Sequence, residues 1–355
     1  MPGHDLIVVG ASAGGVEALS SIVKNLPPDL NAAVMIVLHV PSHGISVLPK
    51  ILNRAGNLPV FHPNNGEQIR PGQIYVAPPN YHLLVKPGYI QLTRGPRENG
   101  HRPAIDPLFR TAARAYGRRV VAVVLTGVLD DGTAGLQAVK MRGGVAVVQN
   151  PDDAMYSGMP RSAIENVDDI DYILRLSEIP DVLVNLTNMQ VKGEEDPVSD
   201  EMKIESDLME LDMNLLNNDE RSGKPSTFGC PDCGGTLWEL SERNLLRFRC
   251  RTGHAFSVET LLAKQSDALE DALWVALRVL EEKGSLSRRM AKRMRDRNQS
   301  LSAQRLEEEV QDTQERASLI RDLLLKGTAT ATEKTTQAPK DKKPTDVNTA
   351  RDREN

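Results

Sequence analysis

The chain has 355 residues, 40% of them apolar, only 4% aromatic, and a formal net charge of −5. That length allows two or three domains with real cores. The mild acidity argues against a general affinity for nucleic acid or acidic surfaces. No apolar run approaches the roughly 18 residues of a membrane span, and the start lacks a basic leader followed by an apolar core, so secretion is not expected.

In chain order, strands are expected at 6–10, 32–39, 73–77, 120–127, 144–149 and 170–174. Helices are expected at 15–25, 44–54, 105–116, 133–142, 159–165 and 177–187, and a hairpin joins 82–86 to 89–93 around Lys86-Pro87-Gly88. Val120–Leu125 is almost wholly apolar, as befits a strand covered on both faces. The alternation predicts an α/β fold, doubly wound, with a mostly parallel sheet and helices on both faces.

The first strand runs into Gly10-Ala11-Ser12-Ala13-Gly14-Gly15, which has the G-x-S-x-G pattern of a nucleophile elbow. A dinucleotide fingerprint would want glycine at Ser12 and an acidic residue ending the second strand, where His39 stands. No Gly-Lys-Ser/Thr follows, which excludes a P-loop. The competing reading is a serine that merely caps the following helix.

Three strand ends supply complementary chemistry: Ser12 after the first, His39 after the second, and Asp130-Asp131-Gly132 after 120–127. In an open parallel sheet these loops share the carboxyl edge. A serine needs a base to take its proton, and a carboxylate fixes that base's tautomer. Each residue also has a plainer reading. His39 can be a satisfied structural histidine, and either aspartate can cap a helix or form an Asx turn. His43, in a Ser-His-Gly loop, is the rival base.

Residues 6–187 resemble the catalytic domain of the CheB-type protein-glutamate methylesterases of bacterial chemotaxis. The matching pieces are G-A-S-A-G-G, L-H-V-P, P-G-Q-I-Y-V-A-P-P-N-Y-H at 71–82, H-R-P-A-I-D-P-L-F at 101–109, V-L-T-G-V-L-D-D-G-T-A-G-L at 124–136 and G-M-P-R-S-A-I at 158–164. The resemblance implies a triad of Ser12, His39 and Asp131, with Asp130 standing where the family often has asparagine. It implies an oxyanion held by the backbone N–H groups of Ala13 and Val128. The implied reaction is hydrolysis of glutamate γ-methyl esters on chemoreceptor helices through an acyl-enzyme, releasing methanol, with receptor glutamine deamidation as a further family activity. Ala13 and Val128 replace the family's usual Thr and Met, changes that spare the backbone donors. Familiar members carry an N-terminal receiver domain. Here the catalytic domain starts within the first few residues, so that control is expected to be missing in cis.

Residues 191–228 read as an acidic linker, interrupted by an amphipathic patch at Leu208–Leu216. The three cysteines then fall into one pattern, Cys230-Pro-Asp-Cys233 and, sixteen residues later, Cys250-Arg-Thr-Gly-His254. Two knuckle-like turns, each offering two ligands, predict a closed Cys3His zinc ribbon over 229–258, structural rather than catalytic. A short hairpin of 236–239 with 245–249 would join the knuckles. Cysteines used this way fit a reduced, cytoplasmic setting.

Residues 259–325 read as two helices with an apolar face of Ala268, Ala272, Val275, Val279 and Leu280 beside Trp274. A basic run follows, Arg288-Arg289, Lys292-Arg293, Arg295 and Arg297, which Glu307–Glu309 can balance; helix pairing with a signalling partner or in cis is favoured over nucleic-acid binding. Residues 326–355 read as disordered. Besides the methylesterase, two alternatives stand: a signalling scaffold with a vestigial esterase domain, and an esterase or amidase acting on a non-receptor substrate.

Overall fold

The computed structural model describes residues 3–44, 46–191, 197–209, 223–242 and 245–327. The chain divides into two compact units, 1–265 and 266–355.

The first unit is built on a seven-stranded parallel sheet. In chain order its elements begin β1 (Leu6–Ala11), α1 (Gly15–Asn25), β2 (Ala33–Leu38), α2 (Leu48–Ala55), β3 (Val60–Phe61) and β4 (Ile74–Val76). The hairpin β5 (His82–Lys86) and β6 (Tyr89–Thr93) follows, then α3 (Ile105–Tyr116), β7 (Val120–Val124), α4 (Thr133–Met141) and β8 (Val145–Gln149). The catalytic-type region ends with α5 (Gly158–Asn166), β9 (Tyr172–Leu174) and α6 (Ile179–Asn188). The sheet order is β3-β4-β2-β1-β7-β8-β9, every pair parallel. The predicted doubly wound α/β architecture is therefore present.

Alternate residues of the central strands feed two cores. Leu6, Val8, Met35, Val37, Ala122 and Val124 pack with Leu108, Phe109 and Leu136 on one face. Ile7, Val9, Val34, Ile36, Val121 and Val123 pack with Leu19, Val23, Leu52 and Leu183 on the other. Each fully buried aliphatic side chain contributes about 1.5–3 kcal/mol. Two-sided burial is why these strands read as continuous apolar runs.

Several ends shift by one to three residues, as where the strand expected at 120–127 stops at Val124, and two differences are larger. The helix expected from residue 44 begins at Leu48, with Pro49 in its first turn, where a missing N–H costs nothing. The region expected to be linker contains α7 (Asp200–Met209), which packs on α3. The Leu208–Leu216 patch lies outside the described residues from 210 onward.

The ribbon region forms a four-stranded antiparallel sheet, β10 (Lys224–Gly229), β11 (Thr236–Glu242), β12 (Leu245–Cys250) and β13 (Ala255–Ser257). Its core is small: Leu237, Phe248, Phe256 and Leu261 with Cys230 and Cys250. It belongs to the same compact unit as the large sheet. Helix α8 (Val258–Asp296) leaves β13 directly.

A cluster of buried charge holds α7 and β12 to α3. Glu98 Oε1 accepts from Arg110 Nη2 at 2.6 Å and from Arg249 Nη2 at 3.1 Å. Glu205 accepts from Arg247 at 2.8 and 3.0 Å and from Arg249 at 2.9 Å, and pairs with Arg110 at 3.1 Å. All five side chains are buried. Burial opposes their charges, but the facing guanidinium groups hold both carboxyls below the usual range.

His82, wholly buried, accepts the Ala104 N–H at Nδ1, which fixes the proton on Nε2, and donates that proton to Pro96 O at 2.9 Å. Burial lowers its pKa to about 4. The unfolded chain, with a histidine pKa near 6.5, therefore binds the proton first. Stability is expected to be complete above pH 6.5 and to fall by about 3 kcal/mol from this group as pH drops toward 4. Urea midpoints at pH 7.5 and 4.5 check this, and the drop should shrink in His82→Leu.

In the second unit, α8 and α9 (Ser300–Gly327) form a helical hairpin joined by a turn at Arg297–Gln299. Leu273, Leu277 and Leu280 meet Ala317, Ile320 and Leu324. The predicted face is corrected: Val275, Val279 and Trp274 lie exposed. Apolar residues occupy both sides of α8, so periodicity alone selects the wrong stripe. Of the expected charge balance, Arg295 pairs with Glu307; Glu309 pairs with Lys283, ahead of the basic run, and a further bridge joins Glu281 and Arg321. The tail expected to be disordered lies outside the described residues beyond 327.

Candidate functional site

Strands β2, β1 and β7 lie side by side, so their carboxyl ends deliver Ser12, His39 and the Thr126–Gly132 loop to one edge. Ser12 is held by its N–H to Thr126 O at 3.0 Å and His39 by its N–H to Ala11 O at 3.2 Å. Gly14, at φ 73°, makes the left-handed turn into α1 that puts Ser12 on the rim. A Cβ on Gly127 would stand 2.9 Å from that of Ser12, so the second loop can approach only as glycine.

The predicted three residues meet. Ser12 Oγ lies 3.0 Å from His39 Nδ1, and His39 Nε2 lies 2.7 Å from Asp131 Oδ2. With Asp131 ionised, Nε2 carries the ring proton and Nδ1 is free to accept the serine hydroxyl. Serine proteases use the two ring nitrogens the other way round. The rival His43 is exposed in its loop, and Asp130 faces elsewhere, accepting from Ser257 Oγ at 2.7 Å and Thr260 Oγ1 at 3.0 Å.

Asp131 is held by two helix starts. Its Oδ2 accepts the Ile105 N–H at 2.7 Å and its Oδ1 the Asp106 N–H at 3.3 Å, the first amides of α3. Asp106 in turn accepts from Gly132 and Gly135 N–H at 3.0 and 2.7 Å, at the start of α4. Each helix thus presents its positive end to a carboxylate at the start of the other. Burial pushes Asp131 up, but hydrogen bonds from His39 and Ile105 outweigh it and hold the carboxyl well below the usual range. Burial and the Asp131 charge push Asp106 well above it. The pair divides into one ionised and one protonation-prone member, the ionised one facing the histidine.

Sequence reasoning assigned no role to Asn99, His101 or Asp106. The ring of His101 stacks on His39 with centroids 3.7 Å apart and planes 8° from parallel. Burial, then His39, lowers its pKa to about 4, so it stays neutral beside an imidazolium. Asn99 Nδ2 donates to Asp131 Oδ1 and to Asp106 Oδ2, both at 3.0 Å. His101 and Asp106 lie in H-R-P-A-I-D-P, whose density of ring and acid groups was the available signal.

A cleft of ≈ 310 Å³ opens beside the histidine, lined by His39, Val40, Pro41, Ser42, Arg97, Gly100, His101 and Arg102. On the serine side Val128, Met155 and Tyr156 are exposed. Val128 follows Gly127, whose N–H is fixed to Tyr156 O at 3.0 Å. Ala13 follows Ser12, with its carbonyl held by Thr126 Oγ1 at 3.0 Å.

The four predicted metal ligands also meet: the donor atoms of Cys230, Cys233, Cys250 and His254 lie within 4.8 Å of one another and could hold a metal. Cys233 and Cys250 Sγ are 3.7 Å apart, and His254 Nδ1 lies 3.5 and 3.8 Å from Cys250 and Cys230 Sγ. A tetrahedral centre with Zn–S of about 2.3 Å and Zn–N of about 2.0–2.1 Å has edges of roughly 3.6–3.8 Å. The donor set therefore fits such an ion. Burial pushes Cys250 up, but hydrogen bonds from His254 and Thr252 bring it down to about 6, favouring the thiolate that a metal requires.

The CheB methylesterase family description matches residues 7–183. A Leptospira interrogans relative, provisionally named a protein-glutamate methylesterase/protein-glutamine glutaminase, is 40% identical over 184 residues, 52% of this chain and 95% of its own length. A Pyrococcus abyssi protein of the same name is 35% identical over 194 residues, 53% of this chain but 52% of its own length. The crystal structure of the Thermotoga maritima CheB methylesterase catalytic domain superposes with a TM-score of 0.50 at 34% identity, over 51% of this chain and 98% of that one. With its sheet, its serine turn and these relatives in agreement, the chain belongs to the CheB methylesterase family.

Proposed function

We propose that the first unit hydrolyses glutamate γ-methyl esters on chemoreceptor cytoplasmic helices and releases methanol. The observation that carries this reading is the Ser12–His39–Asp131 relay at the sheet's carboxyl edge, with links of 3.0 and 2.7 Å.

Ser12 Oγ attacks the ester carbonyl as His39 Nδ1 takes its proton. The tetrahedral oxyanion is met by the backbone N–H groups of Ala13 and Val128, donors aimed where charge develops. His39 returns the proton to methoxide as methanol leaves. A water, deprotonated by the same nitrogen, then opens the acyl-enzyme to free glutamate and restores Ser12. Asp131 stabilises the imidazolium in both halves. The same steps with ammonia as leaving group would convert a receptor glutamine to glutamate, as the relatives' double name suggests.

The surroundings suit a helical, carboxylate-rich substrate. Arg97 and Arg102 line the cleft, while Val128, Met155 and Tyr156 offer an apolar rim on the serine side. The Cys3His cluster holds zinc in a structural role: four protein donors complete a tetrahedron and leave no position for water. Cysteines kept as thiolate ligands support a reducing compartment, the cytoplasm, as its setting. Among the described residues no helix is long and apolar enough to cross a membrane.

Methanol release from methylated chemoreceptor cytoplasmic fragments tests the reading. Release from methylated but not unmethylated fragments is expected. Its absence, with hydrolysis of small methyl esters intact, would move the substrate away from receptors.

A further inference from the structure

We propose that Asn99 is a positioning residue that couples the metal-holding ribbon to the triad carboxylate. The proposal rests on the Ser12–His39–Asp131 reading and adds a control point to it.

The connection is short. Metal ligand His254 is followed by Ala255, whose carbonyl accepts the Asn99 N–H at 2.8 Å and whose N–H donates to Arg97 O at 3.2 Å. The knuckle behind it is closed by the Cys250 N–H on His254 O at 2.9 Å. Asn99 Oδ1 accepts the Ser257 N–H at 3.0 Å. Its two amide hydrogens go to Asp131 and Asp106. The ribbon exit therefore fixes the Asn99 backbone at one point and its side-chain oxygen at another. The side-chain nitrogen then fixes Asp131.

The amide cannot be turned over. A flip would set its oxygen against the ionised Asp131 and its NH2 against the Ser257 N–H. Asn99 also holds φ 51°, a left-handed conformation that asparagine tolerates better than most residues. It is buried, so water cannot replace the lost partners. A second tie runs in parallel: Ser257 and Thr260 hydroxyls grip Asp130, the residue before Asp131. The ribbon's exit thus sets both aspartates of the loop.

The ribbon's own apolar core is too small to order it without a metal. Losing the ion frees the His254–Ser257 segment, and Asn99 loses two of its anchors. Asp131 then keeps its backbone donors, Ile105 on Oδ2 and Asp106 and Gly132 on Oδ1, but loses its side-chain donor on Oδ1, Asn99. A carboxylate held less tightly lets His39 drift, and misplacement of about 1 Å costs roughly 10²-fold in rate.

The test uses the full chain, zinc-loaded and after chelation, as wild type and as Asn99→Gly, a residue that accepts the left-handed φ. Two readouts are followed: the downfield proton resonance of His39 Nε2–H bonded to Asp131, and the rate at which a fluorophosphonate labels Ser12. In wild type, chelation is expected to move or broaden the resonance and slow labelling by about tenfold or more. Asn99→Gly should show both changes with zinc present, and chelation should then add less than about twofold, the non-additivity of a shared path. Equal effects of chelation on both proteins, or a wild-type resonance in Asn99→Gly, would overturn the proposal. If zinc-loaded wild type is not labelled, the nucleophile reading fails, and the resonance alone decides the coupling. If Asn99→Gly does not fold, Cys233→Ser removes an exposed ligand instead: a resonance shifted as by chelation supports the coupling, and an unmoved one refutes it.

Discussion

Alanine at Ser12 is expected to reduce methanol release from methylated receptor fragments by roughly 10⁴–10⁶-fold, with folding unchanged. The side chain is half-buried on the rim and, among the described residues, bonds His39, so its loss empties no core. What disappears is the covalent route. Backbone donors near Ala13 and Val128 survive, which leaves the residual rate that oxyanion binding alone supports. Asp131→Asn is a sharper probe of the relay. An asparagine NH2 facing His39 Nε2 would favour the ring proton on Nδ1, the nitrogen that faces Ser12. A base carrying its proton on the wrong nitrogen cannot accept another, and a loss of about 10⁴-fold is expected. Stopped methanol assays on both variants, with circular dichroism beside them, check this. Full activity in Ser12→Ala would remove the serine from the mechanism and leave the cleft without its nucleophile.

The strand-end chemistry was legible because local rules enforce it. A tight turn writes itself as glycines around Ser12, and parallel strands announce themselves as unbroken apolar runs. The order of three strand ends then puts Ser12, His39 and Asp131 on one edge without any need for side-chain detail. The Cys230, Cys233, Cys250 and His254 cluster was legible for a similar reason: knuckle spacing is a property of a few consecutive residues. The docking of the ribbon was not legible. Glu98, Arg110, Glu205, Arg247 and Arg249 are spread over more than 150 residues, and each alone looks like an ordinary solvated charge. Their burial is decided by tertiary packing that no local period encodes. Helix α7 was missed on the same ground, since its sequence is acidic and polar and its one apolar turn is short. Asn99 sits in a loop beside a recognisable motif, yet its importance comes from Ser257, a residue 158 positions away.

Glu205→Ala is expected to destabilise the first unit by about 3–5 kcal/mol. Among the described residues, the buried cluster pairs two carboxylates with three guanidinium groups. Removing Glu205 takes one of those two carboxylates from Arg110, Arg247 and Arg249 and leaves Glu98 beside them. Arginine stays protonated under all folding conditions, so the mismatch cannot relax by losing a proton. The chain must either hydrate the pocket or release α7 and β12 from α3. Glu205→Gln keeps the shape and some hydrogen bonding but not the charge, and it should cost nearly as much. Replacing Glu205, Arg247 and Arg249 together with apolar residues of similar volume should cost far less than the single change, because the desolvation penalty goes with the charges. Urea unfolding of the three variants, followed through the amides of β7 and β12, separates the cases. A single change costing less than about 1 kcal/mol would mean that water already reaches the cluster. In that case the ribbon's attachment would depend on the Asn99 and Asp130 contacts instead.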